Sequence, residues 1–262
     1  MDTATSADGT PIAYEHTGDG PVVVIVGGAL STAADAAPLA RALGASGIRA
    51  VTYDRRARGS SGDARGSTPR HEAEDLAAVI AATGAPAGEA SVLGHSSGAV
   101  LALFAASTGA RVRALFLSEP PFRFGIGEPA DDLADRLQRL VDEGRGEDAV
   151  ATFQLEGVEL PRDLVEGMRA ASQLTPLAPL AQSTVYDVQL TRQVSTPTAQ
   201  MLSVGVPVTI LRGEQTFPLL VDAADRLARE MDAAELVVVP ESVMHRPDPE
   251  ATARIVRERL IR

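Results

Sequence analysis

The sequence predicts an α/β fold, a mostly parallel twisted sheet flanked by helices, with an inserted helical segment. Short apolar runs rich in β-branched residues alternate with helical patterns along most of the chain. This alternation stops between Ser118 and Val206, where no convincing strand occurs. Because alternating strands and helices form right-handed crossovers, ligands are expected beyond the carboxyl ends of the strands.

The strand pattern begins with a hairpin over residues 3–17 that turns at Asp8-Gly9. Six continuous apolar stretches follow, and continuous apolar character is typical of strands that are covered on both faces. These predicted strands are residues 21–26, 48–53, 91–93, 114–118, 208–211 and 236–239.

The helical pattern divides the chain into a core and an insertion. Core helices are predicted at residues 33–43, 69–82, 97–108, 219–231 and 249–260. Amphipathic helices separated by Gly or Pro are predicted at residues 131–142, 147–155, 162–171 and 177–190. We therefore expect residues 1–121 and 192–262 to form the core, and residues 122–191 to form a helical cap, or lid, over the strand ends.

Composition limits the chemistry available to the chain. Cysteine is absent from the 262 residues, so disulfides, thiolate metal sites and cysteine nucleophiles are excluded, and no lysine is present to form a Schiff base. The net charge of −11 argues against binding nucleic acid, which requires clustered cations. No apolar run approaches the roughly 20 residues of a membrane span, and the first residues do not resemble a signal peptide. We expect a cytoplasmic protein that binds no membrane.

The pentapeptide Gly94-His95-Ser96-Ser97-Gly98 lies between an apolar strand and a helical run. This arrangement is typical of a nucleophile elbow, in which a strained serine stands at the end of a strand and glycines allow strand and helix to approach closely. The Ser96 hydroxyl is expected at the carboxyl edge of the sheet.

Together with three other motifs, this pentapeptide resembles the α/β-hydrolase superfamily over nearly the whole chain. Val26-Gly27-Gly28-Ala29 corresponds to the oxyanion loop, residues 53–62 to the Asp-Arg-Arg-Gly-x-Gly-x-Ser loop, and Met244-His245 follows the last strand. The match is closest to small bacterial hydrolases with a helical cap. The resemblance implies that Ser96 is the nucleophile, His245 the general base, and the backbone N–H groups of Ala29 and Ser97 the oxyanion hole.

The choice of base also follows from the residues, because a serine hydroxyl needs a neighbouring base to become nucleophilic. Of the four histidines, His16 lies in the hairpin and His71 opens a surface helix. His95 lies in the elbow, where alternation directs it away from Ser96 and packing is the favoured role. His245, just after the final strand, is the histidine that the topology can bring to the serine.

The loop Asp54-Arg55-Arg56-Ala57-Arg58 has two interpretations. Its arginines resemble a phosphate-binding loop, but by the family resemblance they brace a turn beside the site, and we favour bracing. Ala57 departs from the glycine that the family usually has there.

The third member of the triad is not fixed by the sequence. The family commonly has an aspartate three residues after the glycine that follows the penultimate strand, and this chain has Thr216 there. A minority of the superfamily supplies the acid after the strand that follows the nucleophile helix, where this chain has Glu119. A carboxylate can orient the histidine from either strand. Glu119 is the favoured acid and Glu214 the alternative; no acid at all, or Glu119 as a contact for the lid, stays open.

The sequence thus predicts a serine hydrolase that cleaves a small, largely apolar ester, lactone or thioester through an acyl-enzyme. It needs no cofactor or metal, and a homodimer is left open. The expected pocket residues are Gly28, Leu30, Phe122, Phe153, Tyr186, Phe217 and Met244. The alternatives are a tailoring enzyme of secondary metabolism that performs elimination or C–C cleavage on the same fold, and a ligand receptor without turnover.

Overall fold

The computed structural model describes residues 1–261 and contains one eight-stranded sheet. Its strands are β1 Asp2–Thr5, β2 Pro11–Thr17, β3 Val22–Val26, β4 Arg49–Tyr53, β5 Ser91–His95, β6 Leu115–Ser118, β7 Val208–Gln215 and β8 Ala234–Val243. Their order across the sheet is β1-β2-β4-β3-β5-β6-β7-β8. The pairs β1–β2 and β2–β4 are antiparallel, and all others are parallel. The predicted fold class is confirmed.

Ten α-helices are present in residues 1–261. They are α1 Ala37–Ala45, α2 Pro69–Ala82, α3 Ser97–Ser107, α4 Leu133–Asp142, α5 Gly146–Thr152, α6 Arg162–Ala170, α7 Ala181–Gln193, α8 Ala199–Leu202, α9 Pro218–Glu230 and α10 Pro249–Leu260. Most bounds lie within two or three residues of the prediction. The short helix α8, whose N-terminus is capped by the Thr198 side chain, was not predicted.

The predicted helix over residues 177–190 is replaced in part by a 3-10 segment. Residues Thr175–Leu180 form this segment, and α7 begins only at Ala181. Pro179 lies inside the 3-10 segment, and a proline lacks the N–H that an α-helical turn would use. A π-helical turn, Phe153–Gly157, replaces the last residues of the helix predicted over residues 147–155 and follows α5 directly.

Apolar clusters cover both faces of the sheet. One cluster joins the sheet to α2, α3 and α9, and the other joins it to α1 and α10. All five residues of β3 are buried, as a central parallel strand requires. Strand β8 differs: it is one of the two edge strands, and Val238 is 41% exposed. The prediction that this strand is covered on both faces is therefore wrong, because fewer elements pack on the edge of the sheet.

Helices α4 to α8 occupy the chain between β6 and β7. Most of them share an apolar cluster of their own that includes Leu137, Val150 and Val185. Helix α7 also contacts the core, where it packs against α3, the helix that follows Ser96. Within residues 1–261, no helix combines the length and apolar character needed to cross a membrane.

Candidate active site

Ser96 lies at the turn between β5 and α3 in a strained backbone conformation. Its φ of 55° and ψ of −127° are rare for a residue with a side chain. A Cβ added to Gly94 would lie 2.4 Å from the Gly98 carbonyl oxygen, and one added to Gly98 would lie 2.2 Å from the Val26 carbonyl oxygen. Both glycines are needed because backbone fills the space that a side chain would take.

His245 and Glu119 are brought together from the ends of two different strands. His245 follows β8 with a φ of 62°, and Glu119 follows β6 with a φ of 47°. The His245 Nδ1 lies 2.5 Å from the Glu119 Oε2, and the Gly213 N–H donates to the Glu119 Oε1 at 2.9 Å. With Nδ1 occupied as a donor, Nε2 is the imidazole nitrogen left to accept a proton.

The Glu119 carboxyl is ionised although it is only 4% exposed. Burial on its own raises its pKa, but the hydrogen bonds from His245 and the Gly213 N–H outweigh that effect and hold the pKa below its usual range. Glu214, the alternative acid, is exposed to solvent. The structure therefore brings Glu119, and not Glu214, to the histidine.

His95 packs beside His245, which the sequence did not indicate. The two ring centroids are 4.6 Å apart, and the His95 Nδ1 lies 3.3 Å from the Ser118 Oγ. Burial, together with the neighbouring His245, lowers the pKa of His95 to about 3. His95 is therefore neutral, and its packing role was predicted, but its position against the candidate base could not be found from strand alternation.

A cavity of about 360 Å³ adjoins Ser96 and His245. Its apolar wall includes Phe153, Val158, Leu160, Val188 and Phe217, and its polar groups include Arg123, Glu159, Asp187 and Thr191. Ala29 and Ser97 line it as well. Within residues 1–261, no group of three or more His, Cys, Asp or Glu side chains is placed to hold a metal ion.

Two of the predicted pocket residues, Phe153 and Phe217, line this cavity. The other five predicted residues are not among those that line it: Gly28, Leu30, Phe122, Tyr186 and Met244. Four of them lie in loops, which have no periodicity from which the direction of a side chain can be read, and Tyr186 lies in α7.

Three of these side chains have different surroundings away from the cavity. Phe122 is buried in the core beside Phe124, and the Tyr186 hydroxyl donates to Asp63 at 2.9 Å. Met244 is 61% exposed.

Gly28 and Leu30 flank Ala29 in the loop after β3. Leu30 packs against the apolar cluster of the inserted helices. Gly28 lies against Ser96, where an added Cβ would be 3.0 Å from the Ser96 Cβ.

The backbone N–H groups of Ala29 and Ser97 have no hydrogen-bond partner among residues 1–261. Ser97 is the first residue of α3, so its N–H points out of the positive end of that helix. Ala29 follows β3 in the adjacent loop. Among residues 1–261 neither N–H donates a hydrogen bond, and both residues line the same cavity as Ser96.

The arginines of the loop after β4 are paired with buried carboxylates. Arg55 donates to both oxygens of Glu72, at 2.8 and 2.9 Å, and Arg56 donates to both oxygens of Asp75 at 2.7 Å. Asp54 accepts from the Ser60 N–H at 2.7 Å within the same turn. These guanidinium groups are engaged inside the protein, which supports bracing over phosphate binding.

These elements, a strained serine after the fifth strand and a histidine after the eighth, are those of an α/β hydrolase. A sequence model of the alpha/beta hydrolase family matches residues 22–255, and the chain belongs to that family. The sequence matches none of the curated proteins.

Solved structures resemble the chain over its whole length. An alpha/beta hydrolase from Sphaerobacter thermophilus DSM 20745 is 40% identical, with a TM-score of 0.88 over 98% of this chain and 99% of that one. A thermophilic esterase from Thermogutta terrifontis is 21% identical (TM-score 0.76; 99% and 97% covered). The enol-lactonase from Burkholderia xenovorans LB400 is 19% identical (TM-score 0.71; 100% of both chains). The last two similarities concern the fold alone.

Proposed function

We propose that this chain is a serine hydrolase that cleaves a small, largely apolar ester, lactone or thioester through an acyl-enzyme on Ser96. The observation that carries the proposal is the 2.5 Å contact between the His245 Nδ1 and the Glu119 Oε2, in a site whose cavity is lined by both His245 and Ser96. In such a set, the carboxylate orients the histidine and the histidine acts as the base that activates the serine hydroxyl.

In the first half of the proposed reaction, the Ser96 hydroxyl attacks the carbonyl carbon while the His245 Nε2 takes its proton. Glu119 keeps the imidazole in the required tautomer and stabilises the imidazolium. The developing oxyanion accepts hydrogen bonds from the Ala29 and Ser97 N–H groups, which donate to no other group in the described part of the chain. The leaving alcohol or thiol then receives the proton from His245.

In the second half, water replaces the leaving group. His245 accepts a proton from the water, which attacks the acyl-enzyme, and the proton returns to the Ser96 oxygen as the acid is released. Each half uses the same oxyanion hole, because a tetrahedral centre forms twice.

The cavity supports a substrate that is mainly apolar. Its volume of about 360 Å³ is at the small end for ligand pockets, and Phe153, Leu160 and Phe217 lie in its wall. The net charge of −11 disfavours strongly anionic substrates at long range.

A fluorophosphonate probe tests the proposed nucleophile. Wild-type protein should be labelled on Ser96, as located by peptide mass spectrometry, and should hydrolyse p-nitrophenyl butyrate. Ser96→Ala should abolish labelling and reduce turnover by 10³-fold or more, on the order expected for a triad member. Ser107→Ala, at the other end of the same helix, is the matched control and should behave as wild type.

The proposed base is tested in parallel. His245→Ala should be nearly inactive, whereas His16→Ala, which removes an exposed histidine of β2, should keep full activity. Labelling that persists in Ser96→Ala would disprove the nucleophile assignment. Labelling of wild type without turnover of any ester would favour the tailoring reaction, and absence of labelling would favour a receptor.

A further inference from the structure

A second carboxylate, on the inserted helix α7, lies beside the candidate oxyanion hole. Asp187 is 1% exposed, and the mechanism proposed above does not use it. Its Oδ1 accepts from the Ser97 Oγ at 2.8 Å and from the Arg55 Nη1 at 2.9 Å, and its Oδ2 accepts from the Arg58 Nη2 at 2.7 Å. Three donors from two core segments therefore converge on one side chain of the insertion.

Arg58 links this carboxylate to the first oxyanion donor. Its Nη1 donates to the Gly28 carbonyl oxygen at 2.6 Å, and the Ser31 Oγ donates to the same oxygen at 2.7 Å. The Gly28 carbonyl and the Ala29 N–H belong to one peptide unit, which is planar and trans, so they point in opposite directions. Fixing the carbonyl on Arg58 therefore fixes the direction of the Ala29 N–H.

Ser97 and Arg55 link the carboxylate to the second donor. The Ser97 side chain is bonded to Asp187, and the N–H of the same residue is the candidate donor. The Arg55 Nη1 lies 3.1 Å from the Ser97 Oγ and 3.2 Å from the Gly27 carbonyl oxygen, so it joins the elbow to the oxyanion loop. Glu72 holds the rest of the Arg55 guanidinium.

The negative charge of Asp187 balances the charges of the two arginines that it contacts. Burial alone raises the pKa of Asp187, but the Arg55 and Arg58 charges outweigh it and hold the pKa below its usual range. Asp187 is therefore ionised between two buried cations. A neutral side chain there would leave one guanidinium without its counter-ion, and an uncompensated buried charge is costly enough to move its surroundings.

We propose that Asp187 is a positioning residue that couples the docking of α7 to the geometry of the oxyanion hole. The two donors, Ala29 and Ser97, lie on separate segments of the chain, and Asp187 is the shared acceptor of the side chains that hold both. The inference rests on the proposed function, since it assigns a role within that site. It implies that the inserted helices do more than enclose the substrate: they complete the site that stabilises the transition state.

The test compares Asp187→Asn and Ser97→Ala with Asp63→Ala. Asparagine keeps the shape of Asp187 without its charge, and Ser97→Ala removes the hydroxyl while keeping the backbone N–H. Asp63→Ala is the matched control, because it removes another contact between α7 and the core, the hydrogen bond from Tyr186, without touching either oxyanion segment. For each variant we would measure kcat and KM for p-nitrophenyl butyrate, the rate of fluorophosphonate labelling, and the thermal midpoint.

If the two N–H donors of the oxyanion hole lose their alignment, kcat should fall, because the oxyanion that they stabilise forms only in the transition state. For Asp187→Asn we expect kcat and the labelling rate to fall together by about 10²-fold, with KM within about threefold of wild type. Ser97→Ala should lose about tenfold in both, and Asp63→Ala less than about threefold in either. A role in stability alone would lower the thermal midpoint without this split between kcat and KM.

The outcomes are distinct. A kcat within threefold of wild type in Asp187→Asn, or an equal loss of kcat in Asp63→Ala, overturns the coupling. If Asp187→Asn does not fold, Ser97→Ala decides, and unchanged kcat and labelling in that variant overturn the proposal. If wild type itself is neither labelled nor active, the proposed function fails and the coupling fails with it.

Discussion

Glu119 uses both carboxylate oxygens, one toward His245 and one toward the Gly213 N–H. We predict that Glu119→Gln lowers kcat by up to about 10⁴-fold, because the histidine loses the charge that fixes its tautomer and stabilises its protonated form. Glu214→Gln, in the neighbouring strand β7 and exposed to solvent, is the matched control and should leave kcat unchanged. Steady-state kinetics on p-nitrophenyl butyrate give kcat for both variants, and small, equal losses of kcat would remove Glu119 from the triad.

The same carboxylate predicts how stability depends on pH. Folding lowers the pKa of Glu119 below its ordinary value of 4.5, so its contribution to stability is present above that value and is lost as the pH falls through the lower folded pKa. The free energy of unfolding should therefore decrease more steeply below pH 4.5 in wild type than in Glu119→Gln. Urea titrations of both proteins at a series of pH values measure this, and parallel curves would contradict it.

At the level of single residues, the sequence predicted the contents of the site better than their contacts. Ser96 and His245 were predicted from motifs, because an elbow and a loop after the last strand have fixed places in the topology, and both line one cavity. The contact of Glu119 with His245 depends on how far two side chains reach from neighbouring strand ends. No spacing in the sequence encodes that distance, so the sequence alone left Glu214, no acid, and a lid contact open as alternatives.

At the level of elements, the elbow makes a sharp prediction about glycine. An added Cβ at Gly98 would lie 2.2 Å from the Val26 carbonyl oxygen, and backbone cannot move aside as a flexible side chain can. We predict that Gly98→Ala destabilises the protein by about 3 kcal/mol or more, at the upper end for overpacking. Differential scanning calorimetry and urea unfolding provide the measurement.

A glycine in a different helix supplies the control. Gly167 lies inside α6, has nothing within 4 Å of an added Cβ, and is not in the left-handed region. Gly167→Ala should therefore stabilise the chain by up to about 1 kcal/mol through helix propensity. Opposite signs for the two substitutions support the packing argument, and equal small effects would show that the strand end can move away from the elbow.

The elements themselves were largely predictable. Strands β3 to β7 and most helices were found, because apolar runs and helical periodicity are local signals. Two elements illustrate the differences from the prediction. Strand β8 is exposed because it lies at the edge of the sheet, and α7 begins later than predicted because Pro179 interrupts the α-helical pattern before it. Burial at the edge of a sheet depends on neighbours that the strand's own sequence does not specify.

At the scale of the whole molecule, the inserted helices and the core share the cavity. Phe153 comes from the insertion and Phe217 from the segment before α9, and both line the space next to Ser96. The sequence could not say which apolar side chains of the inserted helices face the cavity. Several of them, such as Val165 and Leu174, belong to the apolar cluster that those helices share.

This shared apolar wall predicts the response to acyl chain length. On p-nitrophenyl esters, kcat/KM should rise from acetyl to butyryl or hexanoyl, because each methylene that is accommodated contributes up to about 0.8 kcal/mol, or about fourfold. Phe153→Ala and Phe217→Ala should flatten this rise while leaving labelling of Ser96 intact. Leu164→Ala, which removes an exposed side chain of α6 outside the cavity lining, is the matched control and should keep the wild-type slope. A flat or declining profile in wild type, with Ser96 still labelled, would contradict an apolar acyl site and favour a reaction on one specific metabolite.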